Sequence, residues 1–247
     1  MNHTGISWTD YTWNPVSGCT KISEGCKFCY AEALSHRWGR SFDVVLHPEK
    51  LKEIKNVPSG SKVFVNSMSD LFHPDVPFDF IYSVFVEMYH RKDITFQILT
   101  KRPERMKEFF GQTGHPIMRN MWLGVSVESA EYRKRIKVLR DTMLDDSHFL
   151  DDYWTAFVSF EPLISSVGKL DFEGVKWIII GGESGPNHRP MKIEWAEDII
   201  RQALNQGVAV WMKQLGGIRP GGELEDFPQN LRIREFPDKT GMMEVIS

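Results

Sequence analysis

Short apolar, β-branched runs punctuate the chain at 62–65, 95–99, 121–125, 156–160, 177–180 and 208–212. They begin roughly 20 to 35 residues apart, the span of one strand plus one helix. The runs are apolar almost throughout rather than alternating, the pattern of parallel strands covered on both faces. Between them the apolar period lengthens to that of a helix. It is clearest over 191–205, where Ile193, Ala196, Ile199, Ile200, Ala203 and Leu204 share a face and Gly207 supplies a stop signal. Helices are also predicted over 78–90, 103–110 and 129–143; the last contains Glu131-Tyr132-Arg133-Lys134-Arg135, which reads as a solvated face. A first strand near Ile6 to Trp13 would complete about seven βα units. The expected fold class is therefore α/β with parallel strands, a (β/α) barrel, closed or partly open, over 1–219, favoured over a doubly wound open sheet. From 220 to 247 the sequence turns Gly-, Pro- and charge-rich and reads as a tail packed on the barrel.

Composition narrows the choices. A chain of 247 residues that is 41% hydrophobic and 12% aromatic can bury one sizeable core. A net charge of -3 offers no bulk basic character, so contact with a polyanion would have to be local. The first residues show no basic segment leading into an apolar run, and no stretch approaches the roughly 18 apolar residues of a membrane span, which leads to the expectation of a cytoplasmic protein without membrane contact.

In parallel α/β folds the functional site forms at the C-terminal ends of the strands. Here the apolar runs end in polar groups: Asn66-Ser67-Met68-Ser69-Asp70, Thr100-Lys101-Arg102, Ser126-Val127-Glu128, Glu161-Pro162, Gly181-Gly182-Glu183-Ser184 and Lys213-Gln214. Singly, each has a structural explanation, such as a helix cap at Ser126 or Asp70, or an ion pair from Glu161 to Lys101 or Lys213. Together they point to a polar small-molecule site, because gathering so many charges at one mouth is unfavourable without a ligand or catalytic role.

The chain has three cysteines, all between positions 19 and 29, an odd count and a poor framework for disulfides. Cys19, Cys26 and Cys29 form a C-x6-C-x2-C loop, 18–30, after the first strand. Thiolates suit iron-sulfur clusters and zinc alike. A structural zinc normally needs a fourth ligand, for which His3, His36 and His47 are candidates, whereas three cysteines suit a cubane cluster with one iron open to a ligand.

A three-cysteine loop after the first strand of a (β/α) barrel, with Phe28 directly before the last cysteine, resembles the radical S-adenosylmethionine superfamily. Trp13-Asn14-Pro15, Gly18-Cys19, Gly25-Cys26 and Cys29-Tyr30-Ala31-Glu32 resemble more closely a phage- and prophage-associated family of proteins of unknown function. That likeness continues through Leu99-Thr100-Lys101-Arg102-Pro103, Gly124-Val125-Ser126-Val127-Glu128, Phe160-Glu161-Pro162 and Gly181-Gly182-Glu183-Ser184. The cysteine spacing is longer than the superfamily's usual C-x3-C-x2-C. The superfamily's Gly-Gly-Glu element ends the second strand, whereas here the matching triplet ends a later one, so Asn66, Ser67 and Asp70 occupy the expected place.

The resemblance implies that Cys19, Cys26 and Cys29 ligate a 4Fe-4S cluster whose open iron binds S-adenosylmethionine, and that one electron from a donor such as flavodoxin or ferredoxin generates a 5'-deoxyadenosyl radical. It assigns cofactor contacts by position to Asn66, Ser67, Asp70, Lys101, Arg102, Ser126 and Glu128, and leaves Glu161, Glu183, Lys213 and Gln214 facing a polar substrate, for which a nucleobase or nucleotide is a candidate. Two other readings remain. One is a nucleic-acid-binding or accessory protein with structural zinc or an inert cluster, in which some of the tryptophans at 8, 13, 38, 122, 154, 177, 195 and 211 serve as stacking platforms. The other is a metal-independent hydrolase with Glu161 or Glu183 as base and His188 as partner, which leaves the cysteines unexplained.

Overall fold

The computed structural model describes residues 2–144, 155–237 and 244–245; Trp154 and positions 238–243 and 246–247 of the predicted tail lie outside them. In chain order, β1 (Asn2–His3), β2 (Tyr11–Trp13) and β3 (Val16–Ser17) precede α1 (Tyr30–Arg37) and β4 (Val45–Leu46). Then follow β5 (Lys62–Val65), α2 (Phe78–Tyr89), β6 (Thr95–Thr100), α3 (Pro103–Thr113), β7 (Met121–Ser126) and α4 (Lys134–Leu144). After them come β8 (Ala156–Phe160), β9 (Val175–Gly181), α5 (Ile193–Leu204), β10 (Ala209–Gln214), β11 (Glu235–Phe236) and β12 (Glu244–Val245).

The six apolar runs are β5 to β10. With β1 and β2 they make one sheet in the order β1-β2-β5-β6-β7-β8-β9-β10, every pair parallel except β1–β2. The first strand is shorter than its sequence suggests, because Ser7 and Trp8 form a turn and pairing to β5 starts at Tyr11. The sheet curls into a half-barrel without closing: among the described residues no strand pairing joins β2 to β10. Both edges are occupied by antiparallel segments, β1 on β2 and, on β10, residues 233–235, where Met212 N donates to Ile233 O at 2.8 Å and Trp211 bridges to Arg234. Such cover removes the free hydrogen-bonding edges that closure would need and that aggregation exploits. Among the described residues, side chains span the seam, with Trp211 Nε1 donating to Ser7 Oγ at 3.1 Å and Trp8 edge-on to Trp177.

Side chains alternate across each strand. One set, including Val63, Val65, Phe96, Ile98, Leu123, Val125, Val158 and Ile178, joins the core beneath the helices. The other, including Phe64, Trp122, Phe157, Trp177, Ile179 and Trp211, meets inside the curl as an aromatic floor. Gly124 belongs to this inner row; a Cβ there would stand 2.5 Å from the Phe157 ring, so glycine is what lets that ring lie across the floor. Phe236 covers the floor from the N-terminal end of the strands, 4.6 Å from the Trp211 ring. Of the tryptophans weighed as stacking platforms, Trp8, Trp13, Trp122, Trp177 and Trp211 are therefore core, Trp195 is partly buried and Trp38 is 57% exposed.

The outer helices match their periodic signals, with three corrections. On α5, Ala196, Ile199, Ile200 and Ala203 are buried, but Ile193 and Leu204 at its two ends are exposed. Residues 129–143 divide into a three-ten turn at Ala130–Tyr132 and α4. Within the charged stretch, Arg135 is not solvated but buried, because its guanidinium turns inward to a carboxylate at the barrel mouth.

Candidate functional site

The barrel mouth is built from the strand ends. Proline at the first position of α3 forces the helix to begin at Pro103, immediately after β6, leaving Lys101 and Arg102 as the whole connection. Asp70 fixes that connection: its carboxylate accepts from Thr100 Oγ1 at 2.7 Å, Lys101 N at 3.1 Å, Arg102 Nη1 at 3.2 Å and Phe72 N at 3.0 Å. With four donors on two oxygens, Asp70 acts through its neighbours rather than on a ligand.

The inner row of each strand continues upward past the floor. Counting by twos, Gln97 and Leu99 lead to Lys101, Trp122 and Gly124 to Ser126 and Glu128, Phe157 and Ser159 to Glu161, and Ala209 and Trp211 to Lys213. Lys213 Nζ donates to Glu161, a pair that faces the mouth on adjacent sides of β9. Glu128 is wholly buried and accepts from Lys101 Nζ at 2.9 Å, Arg135 Nη1 at 2.7 Å and Ser23 Oγ at 2.6 Å. Burial opposes its charge, but Lys101 and Arg135 outweigh burial and hold the carboxyl below the usual glutamate range. Burial likewise opposes the charge on Lys101, and Glu128 and Cys26 raise its pKa above the ordinary lysine value.

The cysteine loop lies across this mouth, tied to several strand ends. Gly18 N donates to Met68 O at 3.1 Å, and Gly18 adopts φ +80 where a Cβ would strike Asp43 O, so only glycine allows the loop to enter here. Thr20 is gripped by Arg102 Nη2 at 3.0 Å and faces His73 Nε2 at 2.8 Å. Gly25 packs on Glu128, leaving no room for a side chain. Arg189, from the segment after β9, donates to Glu24 O at 2.9 Å while its guanidinium doubly binds Glu183. Tyr30 OH donates to Ser67 O.

All three cysteines are free and partly buried. Lys101 Nζ stands 3.7 Å from Cys26 Sγ and Arg102 Nη1 3.5 Å from Cys19 Sγ. As free thiols the two differ: burial, with Asp70 nearby, pushes Cys19 up to about 11, whereas for Cys26 burial is outweighed by Lys101 and by hydrogen bonds from Ile22 and Ser23, which hold it below the ordinary thiol value. Among the described residues no three His, Cys, Asp or Glu groups gather tightly enough to hold a single metal ion. The donor set fits an iron-sulfur cluster: three soft sulfur ligands from one loop, each free to meet a different iron, with cationic N–H donors at two of them to offset the group's negative charge.

Seven of the sequence-predicted residues thus fall into three groups. Lys101, Arg102 and Glu128 meet the cysteine loop, Glu161 and Lys213 pair within the mouth, and Asp70 and Glu183 hold internal arginines. Gln214 is also engaged internally, with Gly182 O and Gly221 N. Ser126 is buried, and its carbonyl accepts from Arg135 at 2.8 Å. Ser67 Oγ donates to Asn14 Oδ1 at 3.2 Å. Asn66 takes a left-handed backbone at φ 59, and Val16 N donates to its Oδ1 at 3.3 Å; its buried Nδ2 has no partner among the described residues. An amide N–H can meet a carboxylate or hydroxyl oxygen but not an ammonium group. Sequence reasoning did not find Arg135, Arg189, His73 or Tyr30. His188, weighed as a partner for a catalytic glutamate, pairs through Nδ1 with Gly185 O at 2.9 Å.

The fold and site define a parallel α/β half-barrel with a three-thiol loop across its C-terminal mouth. The chain belongs to the family described as "Protein of unknown function (DUF5131)", which it matches over residues 3–239. No curated protein matches the sequence. Two solved structures are similar at 10% identity, each aligned over 81% of this chain: spore photoproduct lyase complexed with dinucleoside spore photoproduct, TM-score 0.48, and a cysteine-to-alanine mutant of that lyase with the same ligand, TM-score 0.47. In both cases the alignment spans 62% of the other chain.

Proposed function

We propose that this protein is a radical S-adenosylmethionine enzyme acting on a polar substrate, with a nucleobase or nucleotide as the substrate class. The observation that carries this reading is the juxtaposition of three free thiols with Lys101 and Arg102 over the mouth of a parallel half-barrel. Cys19, Cys26 and Cys29 would hold a 4Fe-4S cluster, which with bound S-adenosylmethionine supplies one-electron cleavage to a 5'-deoxyadenosyl radical. The chain's own residues supply the chamber. The aromatic floor of Trp122, Phe157, Trp177 and Trp211 excludes water from below. Asn66 Nδ2 offers a buried donor to the cofactor's carboxylate or ribose oxygens, and Glu161 with Lys213 presents paired charges to substrate. Arg189 and Glu183 anchor the cysteine loop on the β9 side.

The test is anaerobic reconstitution followed by iron and sulfide quantification, electron paramagnetic resonance with and without S-adenosylmethionine, and assay for 5'-deoxyadenosine. About four irons per chain, a spectrum perturbed by S-adenosylmethionine and loss of iron on Cys→Ser substitution at 19, 26 or 29 are the expected results. Stoichiometric zinc without iron would overturn the reading and favour a nucleic-acid-binding or accessory protein.

A further inference from the structure

We infer that Lys101 and Arg102 set the reduction potential of the cluster by donating N–H···S hydrogen bonds to the ligands Cys26 and Cys19, with Asp70 and Glu128 as the carboxylates that hold them there. The inference rests on the cluster reading and specifies what surrounds it. Hydrogen bonds and positive charge at the ligating sulfurs stabilise the reduced, more negative state and raise the potential. The geometry makes this a fixed feature rather than a chance approach of two long side chains. Lys101 reaches Cys26 at 3.7 Å while its ammonium is held by Glu128 at 2.9 Å, and its own backbone N–H is held by Asp70 at 3.1 Å. Arg102 reaches Cys19 at 3.5 Å while Asp70 holds the same nitrogen at 3.2 Å and Thr20 takes the other. The two donors are consecutive in sequence and clamped between β6 and the proline-started α3, so they cannot move apart independently.

The arrangement is asymmetric. Of the three thiols, Cys19 and Cys26 carry these cationic donors, and the helix α1 begins directly after Cys29. Charge-assisted donors therefore bear on the Cys19 and Cys26 side of the loop, the side nearest β6 and β7.

The experiment compares wild type with Lys101→Met and Lys101→Arg after anaerobic reconstitution, reading iron per chain and the midpoint potential from a dithionite titration followed by electron paramagnetic resonance. Loss of one charged donor is expected to lower the one-electron reduction equilibrium constant about tenfold, a fall of about 59 mV, at unchanged iron content, with Lys101→Arg restoring most of it. An unchanged potential in an iron-replete Lys101→Met protein would overturn the inference while leaving the cluster reading intact. If the variants fail to take up iron, the wild type decides: 15N-labelled lysine and arginine should each give a hyperfine coupling to the reduced cluster, and absence of both couplings overturns the inference. Wild type that binds no iron at all would sink the cluster reading itself.

Discussion

At the scale of single residues, Glu128 is the hinge of the mouth, a buried carboxylate shared by Lys101, Arg135 and Ser23. Removing Arg135 strips Glu128 Oε2 of its charged donor and Ser126 O of its partner while Lys101 stays on Oε1, a loss of about 1.5–3 kcal/mol. Arg135→Ala should therefore destabilise the chain by that order in denaturant unfolding; a loss under about 1 kcal/mol would place Arg135 with solvated surface charges. The sequence showed that Lys101, Ser126, Glu128, Glu161 and Lys213 end strands, and two-residue periodicity carried past each strand end also sorts them onto the inner face. Asp70 and Glu183 lie in the loops beyond, where no period applies, and both turn out to hold arginines. Arg135 and Arg189 were not legible, because what distinguishes them from surface cations is a partner brought near only by folding.

At the scale of elements, the strands were readable because burial on both faces removes polar positions from them, while α1 was not. Only Ala31 and Ser35 of α1 are buried, too few to leave a periodic stripe. Packing between α2 and the end of α3 carries a titration signature. His115 lies against the Phe85 and Tyr82 rings and donates from Nδ1 to Pro116 O at 2.8 Å. Burial holds its pKa below the ordinary imidazole value, the proline carbonyl only partly opposing. His73 is shifted the same way by burial and by Arg102. The unfolded chain thus takes up protons near the ordinary value of about 6.5 that the folded chain refuses, so stability is full above that pH and falls as pH drops towards the depressed folded value. Denaturant midpoints measured from about pH 7 to about pH 5 should decline more steeply for wild type than for His115→Gln, and parallel slopes would refute the assignment.

At the scale of the whole molecule, the parallel α/β class was plain from the spacing of the apolar runs, but openness was not, since closure depends on which segments occupy the outer edges. The segment after β10 is central to this: Phe227 and Leu231 are buried, Trp177 Nε1 donates to Glu235 O at 2.8 Å, and Phe236 covers the aromatic floor. A chain ending at residue 219 should lose more stability than the roughly 3–5 kcal/mol of a single buried phenylalanine, and its tryptophan emission should shift to the red. Unchanged emission and melting temperature would show that the segment merely rests on the barrel.

The ties of the cysteine loop carry a last consequence. Met68, Arg102, Glu128 and Arg189, from the connections that follow β5, β6, β7 and β9, each grip it. In domains that fold only around their metal, binding energy is consumed in ordering the chain. Here the loop is held by the barrel's own donors and acceptors, so replacing all three cysteines by serine should leave a folded chain with a cooperative thermal transition.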